Sequence, residues 1–176
     1  HSLRRRQRQM CIRDRAAGRD IVTRMAELGM IIDVSHGSDQ LVWDVLATTP
    51  VPFVASHSNC RSLCPHSRNL SDELIRAIAE RGGVIGLNYF ADFITFDSSL
   101  SLPVQLAKHA DHLKNIGGLG CIGLGSDFDG IRPSEDLPDI LALELLVDAL
   151  QKNGFTAREI DAIGYQNVAR LYKDLL

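Results

Sequence analysis

Met30-Ile31-Ile32-Asp33-Val34-Ser35-His36 is a short apolar run tipped by a serine and a histidine. The pattern returns 57 − 36 = 21 residues later, where apolar residues 51–55 lead into Ser56-His57-Ser58. Such runs, bounded by turn signals, read as buried strands. Between them lies a helix-period segment with Ser38 placed to cap it, Leu41, Val42, Val45 and Leu46 expected inward, and Thr48-Thr49-Pro50 closing it. Upstream, Ile21, Val22, Met25 and Leu28 share a helical face, and Gly29 supplies a left-handed stop. Downstream the rhythm repeats. A Ser71-capped helix precedes a strand at residues 84–89, and a helix from Val104 to Ile116 ends at Gly117-Gly118 before a strand at 121–125. A helical stretch at 140–151 and a last helix, opened by the capping box of Thr156 and Glu159, complete the chain.

Strands alternating with helices of this length are expected to be parallel, because a parallel return needs a crossover and a helix is the usual one. Their near-continuous apolar character agrees with burial on both faces. A doubly wound sheet and part of a barrel both fit. Three strands, however, end in His36, His57 and Asp127, and barrel active sites collect at strand C-terminal ends. A dinucleotide-binding sheet would carry a glycine fingerprint after its first strand, and none is present. The expected class is therefore α/β, a partial (β/α)8 TIM barrel of about four βα units over residues 16–176.

Hydrophobic residues at 45% and charged residues at 23% place the chain among globular domains. With a net charge of −3 there is no basic field to hold nucleic acid. No run approaches the roughly 20 apolar residues of a membrane span, and the compartment stays open between cytoplasmic and exported. Cys11, Cys60, Cys64 and Cys121 are too dispersed for a disulfide scaffold and are expected to be idle thiols. Residues 1–15, HSLRRRQRQMCIRDR, are basic, lack an apolar period and break in composition at Ala16. They are expected to lie outside the fold, and the missing initiator methionine points to further sequence upstream.

Two histidines at successive strand tips would stand on one rim, where both imidazoles can close on one zinc at about 2.0–2.1 Å per bond. On that rim Asp127 either binds metal or handles the attacking water, or else caps its turn. Asp129 either joins it or hydrogen-bonds the Gly130 turn. Asp33 is a candidate to orient His36, with a purely structural role as the alternative. Arg68 reads either as a carboxylate clamp or as a solvated loop residue. His109 and His112 are expected to pack or hydrogen-bond within a helix, and His66 carries no assigned role.

The set Ile31-Ile32-Asp33-Val34-Ser35-His36, Ser56-His57-Ser58, Arg68-Asn69 and Gly125-Ser126-Asp127-Phe128-Asp129-Gly130 resembles the renal (membrane) dipeptidase family in order and spacing, over residues 16–176. The resemblance implies a barrel of the metal-dependent hydrolase type that hydrolyses dipeptides with two zinc ions bridged by a glutamate and a water. It implies metal ligation by His36 and His57, pairing of Arg68 with the substrate carboxylate, and contact of Asp127 with the nucleophilic water. Asn69, Asp33 and Asp129 are left as supporting residues. The family's His-x-Asp pair, bridging glutamate and mid-barrel histidine have no counterpart here, so the expectation is a C-terminal portion, inactive alone, with open sheet edges that favour a homodimer. Competing expectations are another amidohydrolase-type metal hydrolase and a non-catalytic metal-binding fragment.

Overall fold

The computed structural model describes residues 15–95 and 97–175. The basic segment lies outside the described residues except for Arg15, at which helix α1 (Arg15–Glu27) opens. Gly29 ends that helix at φ +68°, with the Met30 amide returned to the Met25 carbonyl at 2.9 Å. Only part of the expected apolar face is used. Val22 and Met25 pack on the core while Ile21 and Leu28 are exposed, because the buried arc is centred between positions 22 and 25.

The sheet has three parallel strands in the order β1 (Val54–Ala55), β2 (Val84–Leu87) and β3 (Ile122–Leu124). The expected first strand contracts to a single parallel bridge between Asp33 and Val54, in which Val54 donates to the Ile32 carbonyl and Val34 to the Val54 carbonyl, both at 2.9 Å. Two local causes shorten this edge. Pro52 has no amide to give a ladder, and beyond Val54 the Asp33 side chain takes the Ser56 amide that pairing would otherwise use.

The connections are helical, as expected: α2 (Asp39–Thr48), α3 (Asp72–Glu80) and α4 (Leu102–Gly117). Ser38 and Ser71 cap the first two by accepting the Leu41 and Leu74 amides. Val42 and Val45 are buried, but Leu41 turns outward and covers Gly37, where a β-carbon would lie 2.4 Å from the leucine side chain. After β3 come α5 (Leu143–Lys152), the capping-box helix α6 (Ala157–Asp161), a π-helical turn at Ala162–Gln166 and α7 (Asn167–Leu175). The last helix is fastened beneath the sheet. Asn167 donates to the carbonyls of Leu119 and Ile122 at 2.8 Å each, and Arg170 to those of Gly82 and Gly120.

Phe53, Ile75, Ile85, Leu87, Leu106, Leu113 and Ile122 are fully buried and join the strands to α3 and α4. At the strand C-terminal ends the backbones come closer than side chains allow. A β-carbon on either Gly86 or Gly125 would sit 2.1 Å from the Ser56 carbonyl oxygen. His109 is buried in α4, where Nδ1 accepts the Cys60 amide and Nε2 donates to the Ile94 carbonyl, so it braces the loops that follow β1 and β2. Burial pushes its pKa down to about 4.

Two outcomes follow. Gly86→Ala is expected to destabilise the chain by several kcal/mol, since backbone rather than a movable side chain blocks the new methyl; denaturant unfolding measures it. Because folding depresses the His109 pKa, the unfolded chain binds the extra proton between about pH 6.5 and 4, and stability is expected to fall through that window as pH falls, by on the order of 3 kcal/mol. His109→Gln should flatten that part of the pH–stability curve.

Candidate functional site

His36 follows the first bridge and His57 follows β1, so two adjacent backbones deliver their imidazoles to the same end of the sheet. The Nε2 atoms stand 2.9 Å apart and the rings meet edge to face at a centroid distance of 4.9 Å. Behind them Asp33 gathers three donors. One carboxylate oxygen accepts the Ser35 and Ser56 amides at 3.0 Å each, and the other accepts the Ser56 hydroxyl at 2.5 Å. Ser56 Oγ then meets His57 Nδ1 at 2.8 Å, while Ser35 Oγ accepts the His57 amide at 2.9 Å and lies 3.1 Å from Ser56 Oγ. Asp33 thus reaches His57 through Ser56, whereas sequence reasoning aimed it at His36.

Partial desolvation pushes the Asp33 pKa up, but the hydrogen bonds from Ser56 and Ser35 outweigh it and hold the carboxyl below its ordinary value. The His57 pKa is lowered, first by desolvation, then by the nearby Arg68 and His36, with Asp127 and Asp33 opposing. Arg68 and Asp127 therefore stand within electrostatic reach of His57.

Asp127 follows β3 with φ +68°, a left-handed conformation that aspartate tolerates better than most residues. Its carboxylate folds over Gly130, where a β-carbon would come within 2.4 Å of Oδ1, and its other oxygen accepts from Asn88 Nδ2 at 3.1 Å. Asn88 is fully buried, and its backbone amide and carbonyl are both held by the Asn59 side chain. Neither asparagine was picked out from sequence. Yet Asn88 is the polar residue toward the end of the 84–89 strand, the kind of position that singles out His36, His57 and Asp127. Asp129 is exposed in the turn, while the Asp127 carboxylate occupies the place over Gly130 that had been considered for Asp129.

Arg68 lines a cleft of about 600 Å³ with His36, Asp39, Arg61 and His66. Its guanidinium lies 5.6 Å from the Phe93 ring centroid, and Nη2 is buried with no hydrogen-bond partner. Asn69 does not extend toward the imidazoles; it donates to the Cys64 and Phe93 carbonyls at 2.8 Å each and so steadies the ring beside Arg68. Arg61 and Asp39 form a bidentate pair at 2.7 Å across the cleft rim. Cys60 and Cys64 are buried thiols that donate to separate carbonyls, and burial raises both pKa values, which disfavours the thiolate a metal would need. His112 pairs with Asp72 at 2.8 Å on the helical surface, away from the strand tips. Among the described residues no set of three histidine, cysteine or acidic side chains is grouped to hold a metal, and no helix is long and apolar enough to cross a membrane.

The family model described as membrane dipeptidase, peptidase family M19, matches residues 15–175. An uncharacterized Klebsiella pneumoniae protein from the pqqA 5′ region is 37% identical over 163 residues, 91% of this chain and 60% of its own length. An uncharacterized dipeptidase of Schizosaccharomyces pombe is 32% identical over 161 residues, 90% of this chain and 39% of its own. A Rhodobacter sphaeroides metallopeptidase, solved with a phosphinate mimic of the dipeptide L-Ala-D-Ala, superposes with a TM-score of 0.86 at 30% identity, covering 91% of this chain and 46% of that structure. The chain therefore spans between about two-fifths and three-fifths of the length of these relatives. On the family match across nearly its whole length, this chain belongs to the membrane dipeptidase family of metallopeptidases, M19.

Proposed function

We propose that the protein carrying this chain is a zinc-dependent dipeptidase, and that the chain supplies the His36 and His57 side of its metal centre within a partial (β/α)8 barrel. The observation that carries this is the approach of the two Nε2 atoms to 2.9 Å at one sheet end. Two tetrahedral ligands at about 2.0–2.1 Å from one zinc leave their donor atoms a little over 3 Å apart, so the pair needs only a small opening to share an ion. Neutral imidazoles suit zinc among the divalent cations, and the bound metal would supply a water acidic enough to attack near neutral pH.

The remaining roles follow from what each side chain lacks or faces. A buried guanidinium nitrogen without a partner calls for an anion, and the free carboxylate of a dipeptide supplies one in bidentate geometry. Asp127, held by Asn88 and standing on the same rim, is placed to accept a proton from the attacking water. The aromatic ring beside Arg68 keeps that subsite partly dry, which strengthens the carboxylate contact. The liganded relative carries a dipeptide mimic, which supports the same substrate class. An amidohydrolase that opens cyclic amides would share the imidazoles but has no need of a clamp for a free carboxylate.

In the full-length protein, Arg68→Ala is expected to raise KM for dipeptides roughly 10- to 100-fold, the worth of a charge-assisted hydrogen bond, and to change kcat much less. Steady-state kinetics decide it; an unchanged KM would remove the dipeptide reading. His57→Ala should lower the number of zinc ions bound per full-length protein, as counted by calorimetric titration, and an unaltered count would exclude His57 as a ligand.

A further inference from the structure

We propose that Ser56 is a positioning residue that, backed by Asp33, fixes His57 as its Nδ1–H tautomer and so presents a bare Nε2 lone pair to the metal site. The inference deepens the dipeptidase reading and rests on it for the identity of what Nε2 faces. Its basis is a count of hydrogens. The Asp33 carboxylate only accepts, so the 2.5 Å contact with Ser56 Oγ consumes the single hydroxyl hydrogen of Ser56. Toward its other two neighbours Ser56 Oγ can then only accept. The 3.1 Å contact must therefore be donated by Ser35, whose own oxygen already accepts the His57 amide, and the 2.8 Å contact must be donated by His57 Nδ1. Every group in the chain of contacts has one consistent role.

The consequence reaches across to His36. With no hydrogen on His57 Nε2, the 2.9 Å contact between the rings requires His36 Nε2 to donate. The two imidazoles are thus unequal: His57 is ready to ligate, whereas His36 must move its proton from Nε2 to Nδ1 through solvent before its lone pair is free. That exchange leaves the charge of the ring unchanged.

The test uses the full-length protein with ¹⁵N-labelled histidine and long-range ¹H–¹⁵N correlation spectra, first metal-free and then with zinc chloride. The expected spectra show His57 protonated on Nδ1 in both conditions and His36 changing from Nε2–H to Nδ1–H as zinc is added. In a folded Ser56→Ala variant, His57 should become a tautomer mixture and zinc affinity should fall about 10- to 100-fold, as loss of a ligand's outer hydrogen bond commonly produces. Ser56→Thr keeps the hydroxyl and should restore both. An Nε2–H tautomer at His57, or wild-type spectra and affinity in Ser56→Ala, overturns the proposal. Failure to bind zinc with His57 still protonated on Nδ1 would instead defeat the dipeptidase reading and leave the Ser56 assignment supported.

Discussion

The Asp33 carboxylate holds the candidate site together, because it replaces a stretch of β-ladder with side-chain hydrogen bonds. Where pairing between the first bridge and β1 would continue, Asp33 takes the amides of Ser35 and Ser56 and the hydroxyl of Ser56. Backbone donors at a strand end must find acceptors somewhere. Using one anion for all three fastens the two chains to each other just before their histidines project. The bridge register of 21 is also the separation of His36 and His57, so both imidazoles leave the sheet at the same level.

The second constraint is steric and lies one strand further in. Gly86 and Gly125 let the backbone at Ser56 approach the ends of both β2 and β3, and the Ser58 amide donates to the Gly86 carbonyl at 2.8 Å. The three strand tips that carry His57, Asn88 and Asp127 are thereby drawn into one interlocked edge. Position and chemistry are set by different residues, with glycines deciding how near the strands come and polar tips deciding what the edge can do. The opposite edge is fastened independently by Asn167 and Arg170, so the C-terminal helix can stabilise the sheet without touching the site.

Much of this could be read from sequence because it is periodic. Apolar runs gave the parallel strands, and Ser38, Ser71 and the Thr156–Glu159 pair gave helix starts, since caps depend on a few neighbouring residues. The strand lengths were less legible: Pro52 and the Asp33 side chain both curtail pairing, and the second effect requires knowing which loop lies opposite. The outward turn of Leu41 likewise depends on which arc of α2 meets the core. At the site, strand-tip position brought out His36, His57 and Asp127, but the partners of each are residues of ordinary type whose meaning is relational. Ser56 matters because Asp33 lies 23 positions earlier in sequence and within hydrogen-bond distance in space. Asn88 was missed because an asparagine after an apolar run also reads as a turn residue.

Asp127 sits at φ +68°, in a region where every residue with a β-carbon pays a conformational penalty and glycine does not. The carboxylate offsets that penalty by accepting the side-chain amide of the buried Asn88, so a glycine at position 127 would relax the backbone and orphan Asn88 Nδ2 in the same stroke. Position 127 thus sets backbone ease against an anchored carboxylate, and a glycine there would remove an acid that stands within electrostatic reach of His57.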